Sequence, residues 1–225
     1  MADELKTLLF CTSYCADEAA WQRRYRRWLA HHRWIPLRKA ATFFIDDCSP
    51  HVPADPDLHC LHELPTGSDL PDATCVYRFA THLGREGLIG HFGWWRSFLF
   101  SLDIARAFGF EKIVHVESDA YLLSRKVVDY VNALDTGWTV MWCPKYGFPE
   151  PAIQIVAADQ FQRMADVASA GVARLGQALA EFTLPFTHIE KRFVGNRYGE
   201  QRTRIPGYAD YACQIDSSEI AIHFH

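Results

Sequence analysis

The sequence predicts an α/β fold in which helices flank a mostly parallel central sheet, in a single domain over residues 1–225. The chain opens with an apolar strand at 7–14, an amphipathic helix and a second apolar strand at 41–45. A third apolar strand, Lys112–Val116, follows a long helix. Parallel neighbours need a crossover of about a dozen or more residues, usually a helix, so this order of elements favours a parallel sheet.

The first helix is predicted to begin after Asp17, because an aspartate side chain accepts hydrogen bonds from the free N–H groups of a helix N terminus. Apolar side chains then recur at helical spacing on one face, and arginines cover much of the other face. The apolar positions are Ala19, Ala20, Trp21, Tyr25, Trp28 and Leu29, and the arginines are Arg23, Arg24, Arg26 and Arg27. The apolar face is expected to pack on the sheet.

Later elements are predicted with the same reasoning. Residues 49–75 are rich in turn formers and are expected to hold one short strand, near 58–64, in otherwise irregular chain. A strong helix is predicted over Phe92–Phe108 and ends at Gly109, where a C-terminal glycine belongs. The remaining predictions are a helix at 124–134, strands at Trp138–Cys143 and 152–157, a helix from about 159 to 182, and a loop-rich basic end with a short strand at 220–225.

Composition excludes several classes of protein. Hydrophobic residues make up 49% of the chain and charged residues 22%, which is ordinary for a globular protein and unlike a disordered one. The net charge of −4 provides no basic field to recruit nucleic acid, so no nucleic-acid partner is expected. No apolar run is long enough for an integral membrane segment, and no signal peptide is recognisable. Seven scattered cysteines then predict reduced thiols and a cytoplasmic protein.

Polar side chains come directly after three of the predicted strands. In parallel α/β sheets, ligands bind beyond the carboxyl ends of the strands, where such side chains converge. They are Thr12 and Tyr14, Asp46 and Asp47, and Glu117 and Asp119. We therefore expect a ligand site at this edge of the sheet, although each residue taken alone is also an ordinary turn former.

Glu117 and Asp119 are two residues apart on extended chain, so their carboxylates point to the same side. Two like charges held close together repel unless a cation lies between them, and oxygen ligands suit Mg²⁺ or Mn²⁺. The alternative is a strand-end turn in which Asp119 caps the next helix, a position for which Ser124 is better placed.

Trp94 and Trp95 are adjacent at the start of a helix and cannot both face the core. Trp95 falls on the core face, which makes Trp94 a candidate platform for a sugar ring. The alternative is that Trp94 only fills space, since aromatic packing is the commoner use.

Three short segments together resemble the nucleotide-binding half of GT-A-fold glycosyltransferases. They are Thr12-Ser13-Tyr14, Asp46-Asp47-Cys48-Ser49 and Glu117-Ser118-Asp119, the last similar to an Asp-x-Asp metal motif. The large inverting group with Thr-Ser-Tyr and Asp-Asp-x-Ser turns is most similar. The resemblance implies a GT-A, Rossmann-like sheet, with a nucleotide-sugar-binding half at about 6–145 and an acceptor-side half at about 146–225.

Two positions depart from that pattern, with Glu117 in place of the first aspartate and Cys15 in place of the usual asparagine. The resemblance implies a metal-dependent enzyme that transfers a sugar from a nucleotide-diphosphate sugar, with UDP favoured, to a carbohydrate or other hydroxyl acceptor. Inversion with a carboxylate base is expected, and Mn²⁺ or Mg²⁺ is the implied cofactor.

The resemblance also implies roles for particular residues. Nucleotide-binding residues would be Thr12, Tyr14, Asp46, Asp47, Arg96 and Glu117. Metal ligands would be Glu117, Asp119, His223 and His225, with Asp119 counted as catalytic. The base would be Glu190, with Asp210 and Asp216 as reserves. Apart from the resemblance, the basic loop with Arg192, Arg197, Arg202 and Arg204 is a candidate to hold an anionic acceptor or close over the diphosphate; the alternative is a solvated loop.

Two other functions stay open. A nucleotidyltransferase also combines an α/β sheet with a divalent metal, but no glycine-rich loop with lysine or arginine follows the first strand to hold a triphosphate. A catalytically inactive nucleotide-sugar-binding module is the second. Slow hydrolysis of a nucleotide sugar without an acceptor would distinguish an enzyme from that module.

Overall fold

A computed structural model describes residues 5–65, 74–87, 89–200 and 204–225. Its strands are β1 (Thr7–Ser13), β2 (Ala41–Asp46), β3 (Leu58–Leu61), β4 (Thr74–Arg78), β5 (Lys112–Val116), β6 (Tyr121–Leu122), β7 (Trp138–Cys143), β8 (Phe148–Ala157), β9 (His188–Glu190), β10 (Gly195–Asn196) and β11 (Tyr211–Ala212). Its α-helices are α1 (Glu18–Ala20), α2 (Arg27–Trp34), α3 (Phe92–Phe108), α4 (Arg125–Ala133), α5 (Phe161–Ser169), α6 (Val172–Leu175) and α7 (Ala180–Thr183).

The central sheet has eight strands in the order β3-β4-β2-β1-β5-β8-β7-β9. Strands β3, β4, β2, β1 and β5 run parallel, whereas β8 is antiparallel to both β5 and β7. Strand β9 is parallel to β7 at the far edge. A small second sheet has the order β10-β11-β6. The predicted α/β class, with a mostly parallel central sheet flanked by helices, is confirmed.

Both faces of the central sheet are covered, which is why β1 is apolar almost throughout. Leu9 and Cys11 pack in the layer that contains α2, α4 and the small sheet, whereas Leu8 and Phe10 pack against α3 and α5. All four side chains are fully buried. The period of two along the strand therefore divides one apolar run between two cores.

The first helix is interrupted by a π-helical stretch, Trp21–Arg26, between α1 and α2. Asp17 caps α1 as predicted, since its side chain accepts from the Ala20 N–H at 2.7 Å. π-Helical turns are rare and occur often at functional sites. This one carries Arg24 and Tyr25, whose positions matter below.

Four predictions about elements need correction. The helix predicted from about 159 to 182 is divided into α5, α6 and α7, and Gly171, with φ +78°, separates α5 from α6. Strand β4 was not predicted, because it follows a stretch dominated by turn formers. The helix predicted at 124–134 begins one residue later, with the Ser124 side chain as its cap. The end of the chain forms no strand; instead the His225 N–H donates to Leu123 O at 2.8 Å.

No helix in the described ranges combines the length and the apolar character needed to cross a membrane.

Candidate functional site

A cavity of about 590 Å³ lies where the carboxyl ends of β1 and β5 meet the start of α3. The π-helical stretch, the chain at 82–85 and the chain at 178–181 complete its wall. Ligand pockets in proteins commonly measure about 300–1,000 Å³, so a nucleotide-sized molecule fits this space. The expected edge of the sheet is therefore the one that carries a cavity.

Glu117 lies on the cavity wall, and its carboxylate accepts from donors of two elements, β1 and α3. Thr12 Oγ1 donates at 2.9 Å, and the indole N–H of Trp94 donates to the same group. The Nε2 atom of buried His115 lies 3.0 Å from Glu117 Oε1. Burial raises the pKa of Glu117, but His115, Thr12 and Arg24 together outweigh burial, so its pKa lies below the ordinary value. Glu117 is therefore held as a carboxylate.

Asp119 also lines the cavity and is paired with an arginine that sequence reasoning did not single out. Arg24 Nη2 donates to Asp119 Oδ2 at 3.0 Å, across 95 residues of sequence. Burial raises the pKa of Asp119, although Arg24 acts in the opposite direction. Arg24 had been predicted only as part of the polar face of the first helix.

Asp47 reaches the cavity wall, but its carboxylate serves the chain at 82–84. It accepts from the Gly84 N–H at 2.7 Å, lies 3.0 Å from His82 Nδ1 and pairs with Arg96. A Cβ atom at Gly93 would overlap this carboxylate, which explains the glycine there. Asp47, a predicted nucleotide-binding residue, therefore also braces the chain at 82–84.

Arg96 and Asp46, which are predicted to bind the nucleotide, are not among the residues that line the cavity. The Arg96 guanidinium lies over the Phe79 ring at 3.9 Å and is not part of the cavity wall. Asp46 is buried under the turn after β2, where it accepts from the Ser49 N–H at 2.8 Å. Both charges are paired within the protein, Arg96 with Asp47 and Asp46 with Arg78.

Tyr14 is one of the predicted residues that does present its side chain to the cavity, and its side chain is 45% exposed. Its ring lies 4.4 Å from that of His82, and the Tyr25 hydroxyl donates to Tyr14 O at 2.8 Å. Trp94 also lines the cavity, with its ring parallel to Phe98 at 4.9 Å. Aromatic surfaces therefore lie at two places along the wall.

An acidic and basic cluster at the other end of the cavity was missed. Arg197 Nε donates to Glu150 Oε2 at 2.6 Å, and Arg197 Nη2 donates to Glu181 Oε1 at 3.2 Å. Burial raises the pKa of Glu150, with Arg197 opposing it. Only Arg197 carried a signal, as part of the predicted basic loop; Arg202 of that loop lies outside the described residues.

The predicted base, Glu190, is not among the residues that line the cavity. It lies on edge strand β9, where Arg192 donates to it through the backbone N–H at 2.8 Å and through Nη2 at 2.6 Å. These bonds outweigh burial and lower its pKa from 4.5 to about 2. The reserves do not line the cavity either: Asp210 accepts from Ser124 Oγ at 2.5 Å, and Asp216 is exposed beside Ile215, whose N–H donates to Asp119 O at 2.8 Å.

The predicted metal site does not assemble. His225 Nε2 lies 3.2 Å from Ala209 O, His223 is exposed, and neither lines the cavity. In the part of the chain that the structure describes, no group of three His, Cys, Asp or Glu side chains is arranged to hold a metal ion. Because Glu117 and Asp119 already accept from donors of the chain itself, the residues present do not fit a divalent metal.

No protein-family model matches this sequence, and no curated protein matches it. Among solved structures, the chain is similar to "a glycosyltransferase involved in the glycosylation of the major capsid of PBCV-1". The TM-score is 0.48 and the sequence identity 10%, over 93% of this chain and 92% of that chain. Since likeness at this level carries no residue roles, the chemistry has to be argued from the cavity.

Proposed function

We propose that this protein is a glycosyltransferase that binds a nucleotide-diphosphate sugar in the cavity and transfers the sugar to an acceptor hydroxyl. The observation that carries the proposal is the composition of the wall along one cavity of about 590 Å³. The aromatic rings of Tyr14 and His82 lie at one part of the wall, and the ion pair of Asp119 and Arg24 lies at a second. Glu150 and Glu181 lie at a third. A base, a diphosphate and a reacting hydroxyl need these three environments.

The base is proposed to stack beside Tyr14 and His82, because aromatic rings offer a flat apolar surface of matching size. Trp94 is proposed to lie beside the sugar. Asp47 and Arg96 support this region indirectly, since they hold the chain that carries His82.

Transfer requires a group that removes the proton of the acceptor hydroxyl. Glu181 is proposed for this role in place of Glu190, because it lines the cavity and its side chain is 16% exposed. Both oxygens of Glu150 are bonded to Arg197, which makes Glu150 the anchor of the cluster. The acceptor proton passes to Glu181, the acceptor oxygen bonds to the anomeric carbon, and the bond from that carbon to the diphosphate breaks.

The test is a thermal-shift screen with UDP, GDP, CDP and ADP, followed by calorimetry with the best ligand. A ligand at 100 times its Kd stabilises the folded protein by about 2.7 kcal/mol, which a melting curve detects easily. Tyr14→Ala is expected to weaken binding about tenfold, as loss of one stacking partner typically costs about 1–3 kcal/mol.

Tyr208→Ala is the matched control, because this tyrosine is 70% exposed and is not part of the cavity wall. Release of free sugar from the corresponding nucleotide sugar then distinguishes an enzyme from a binding module. Absence of a melting shift with all four nucleotides would contradict the proposal.

A further inference from the structure

The acidic pair Glu117 and Asp119 is already compensated by the protein's own cations and donors. His115 Nε2 lies 3.0 Å from Glu117, and Arg24 Nη2 lies 3.0 Å from Asp119. A pair of carboxylates next to a diphosphate site would otherwise repel the ligand, and a divalent metal is the usual remedy. Here the guanidinium of Arg24 supplies the positive charge beside Asp119.

Arg24 is held at the cavity by a part of the first helix that is tied to the end of β1. It belongs to the π-helical stretch, and its neighbour Tyr25 is hydrogen-bonded to both backbone groups of Tyr14, at the end of β1. This double contact ties the stretch to the edge of the sheet where the cavity opens. Arg24 lines the cavity wall, whereas Arg23 and Arg26 are exposed.

The guanidinium of Arg24 has capacity left for a ligand. An arginine carries five N–H donors, and among the described residues Asp119 is its one hydrogen-bond partner. Its side chain is 36% exposed, against 11% for the carboxylate behind it. A ligand entering the cavity therefore meets the cation before it meets the acid.

We propose that Arg24 binds the diphosphate of the donor in place of a divalent metal, so that donor binding is metal-independent. This inference rests on the proposed function. The planar guanidinium matches two phosphate oxygens at once, and Asp119 fixes its orientation from behind. When the bond to the anomeric carbon breaks, the electron pair stays on the diphosphate, and Arg24 stabilises that charge.

The first experiment is calorimetric titration of wild-type protein with UDP, GDP, CDP and ADP in EDTA and again in Mn²⁺ or Mg²⁺. For the nucleotide that binds, we expect Kd values in EDTA and in metal to agree within about twofold. Binding that is tenfold or more tighter with metal would overturn the inference and leave the proposed function standing. Binding of none of the four in either buffer would overturn both.

The second experiment compares Arg24→Gln with Arg23→Gln, an exposed arginine of the same helical stretch. Arg24→Gln is expected to weaken the diphosphate nucleotide at least tenfold and to leave the affinity for the parent nucleoside unchanged. Arg23→Gln should change neither affinity. Equal losses for nucleotide and nucleoside, or no loss for either, would overturn the inference. Arg24→Lys, which keeps the charge without the planar fork, is expected to fall between wild type and Arg24→Gln.

Discussion

Two buried carboxylates of this protein are each paired with an arginine, yet the two pairs differ in whether the arginine lies at the cavity. Asp119 and Arg24 lie on the wall of the large cavity, and the guanidinium is the outer member. Glu190 and Arg192 lie at edge strand β9, where the arginine folds back on the acid two residues away. The arginine is the more exposed member of both pairs, but of these two pairs only the first lies on the cavity wall. Access of the cation to a cavity, rather than the ion pair alone, therefore marks the site.

The largest difference between the cavity and edge strand β9 is expected in the turnover rates of variants at Glu181 and Glu190. Glu181→Gln should lower the rate of nucleotide-sugar hydrolysis about 10²–10⁴-fold, the usual contribution of a positioned base, with little change in nucleotide affinity. Glu190→Gln should leave the rate unchanged, because Glu190 is not on the cavity wall. Rates measured on both variants at saturating nucleotide sugar show which of the two glutamates acts as the base. A normal rate in Glu181→Gln would remove this residue from the mechanism.

A third pair, Asp47 and Arg96, differs from both, since its carboxylate lines the cavity whereas its arginine does not. Removing one partner of a buried ion pair typically costs about 3–5 kcal/mol, and Asp47→Ala should lower the free energy of unfolding by an amount of this order. The matched control is Asp57→Ala, which breaks an exposed pair with Arg33 and should cost at most about 1 kcal/mol. Chemical denaturation measures both; equal losses would contradict a bracing role for Asp47.

The pair of Glu190 and Arg192 should show itself in the pH dependence of the free energy of unfolding. Arg192 lowers the pKa of Glu190 from 4.5 to about 2, so between these values the unfolded chain binds more protons than the folded one. The stabilisation from Glu190 is present above pH 4.5 and is lost as the pH falls toward 2. The difference in unfolding free energy between wild type and Glu190→Gln should therefore shrink over that interval. A constant difference from pH 7 to pH 2 would contradict the low pKa.

The smallest effect is expected for Asp119→Asn. The amide oxygen can still accept from Arg24, while the negative charge near the diphosphate is removed. Affinity for the diphosphate nucleotide should stay within about threefold of wild type or rise. A loss of tenfold or more in calorimetry would indicate that the charge of Asp119 itself is needed, as a metal site would require.

Much of the site follows from local sequence. Thr12, Tyr14 and Glu117 come directly after apolar strands, and polar residues at the ends of parallel strands converge because the strands share a direction. Trp94 reaches the same cavity because its neighbour Trp95 occupies the core face of α3. Strand and helix periods are local properties, so the sequence was sufficient for these placements.

The partners of those residues could not be read from the sequence. Arg24 meets Asp119 because packing sets the first helix beside the end of β5, 95 residues further along the chain. Glu190 was predicted as the base because the resemblance implies an acidic residue in the acceptor half, whereas its position at the edge of the sheet depends on where β9 joins.

By itself, then, the sequence determined the α/β class and the edge of the sheet that carries the cavity, because apolar periodicity and strand-end polarity act over a few residues. The tertiary structure decided which charges face that cavity. The pairs that matter, Arg24 with Asp119 and Arg197 with Glu150, join residues 95 and 47 positions apart. Such contacts form only when separate elements pack together, and no local pattern records which arginine will lie beside which acid.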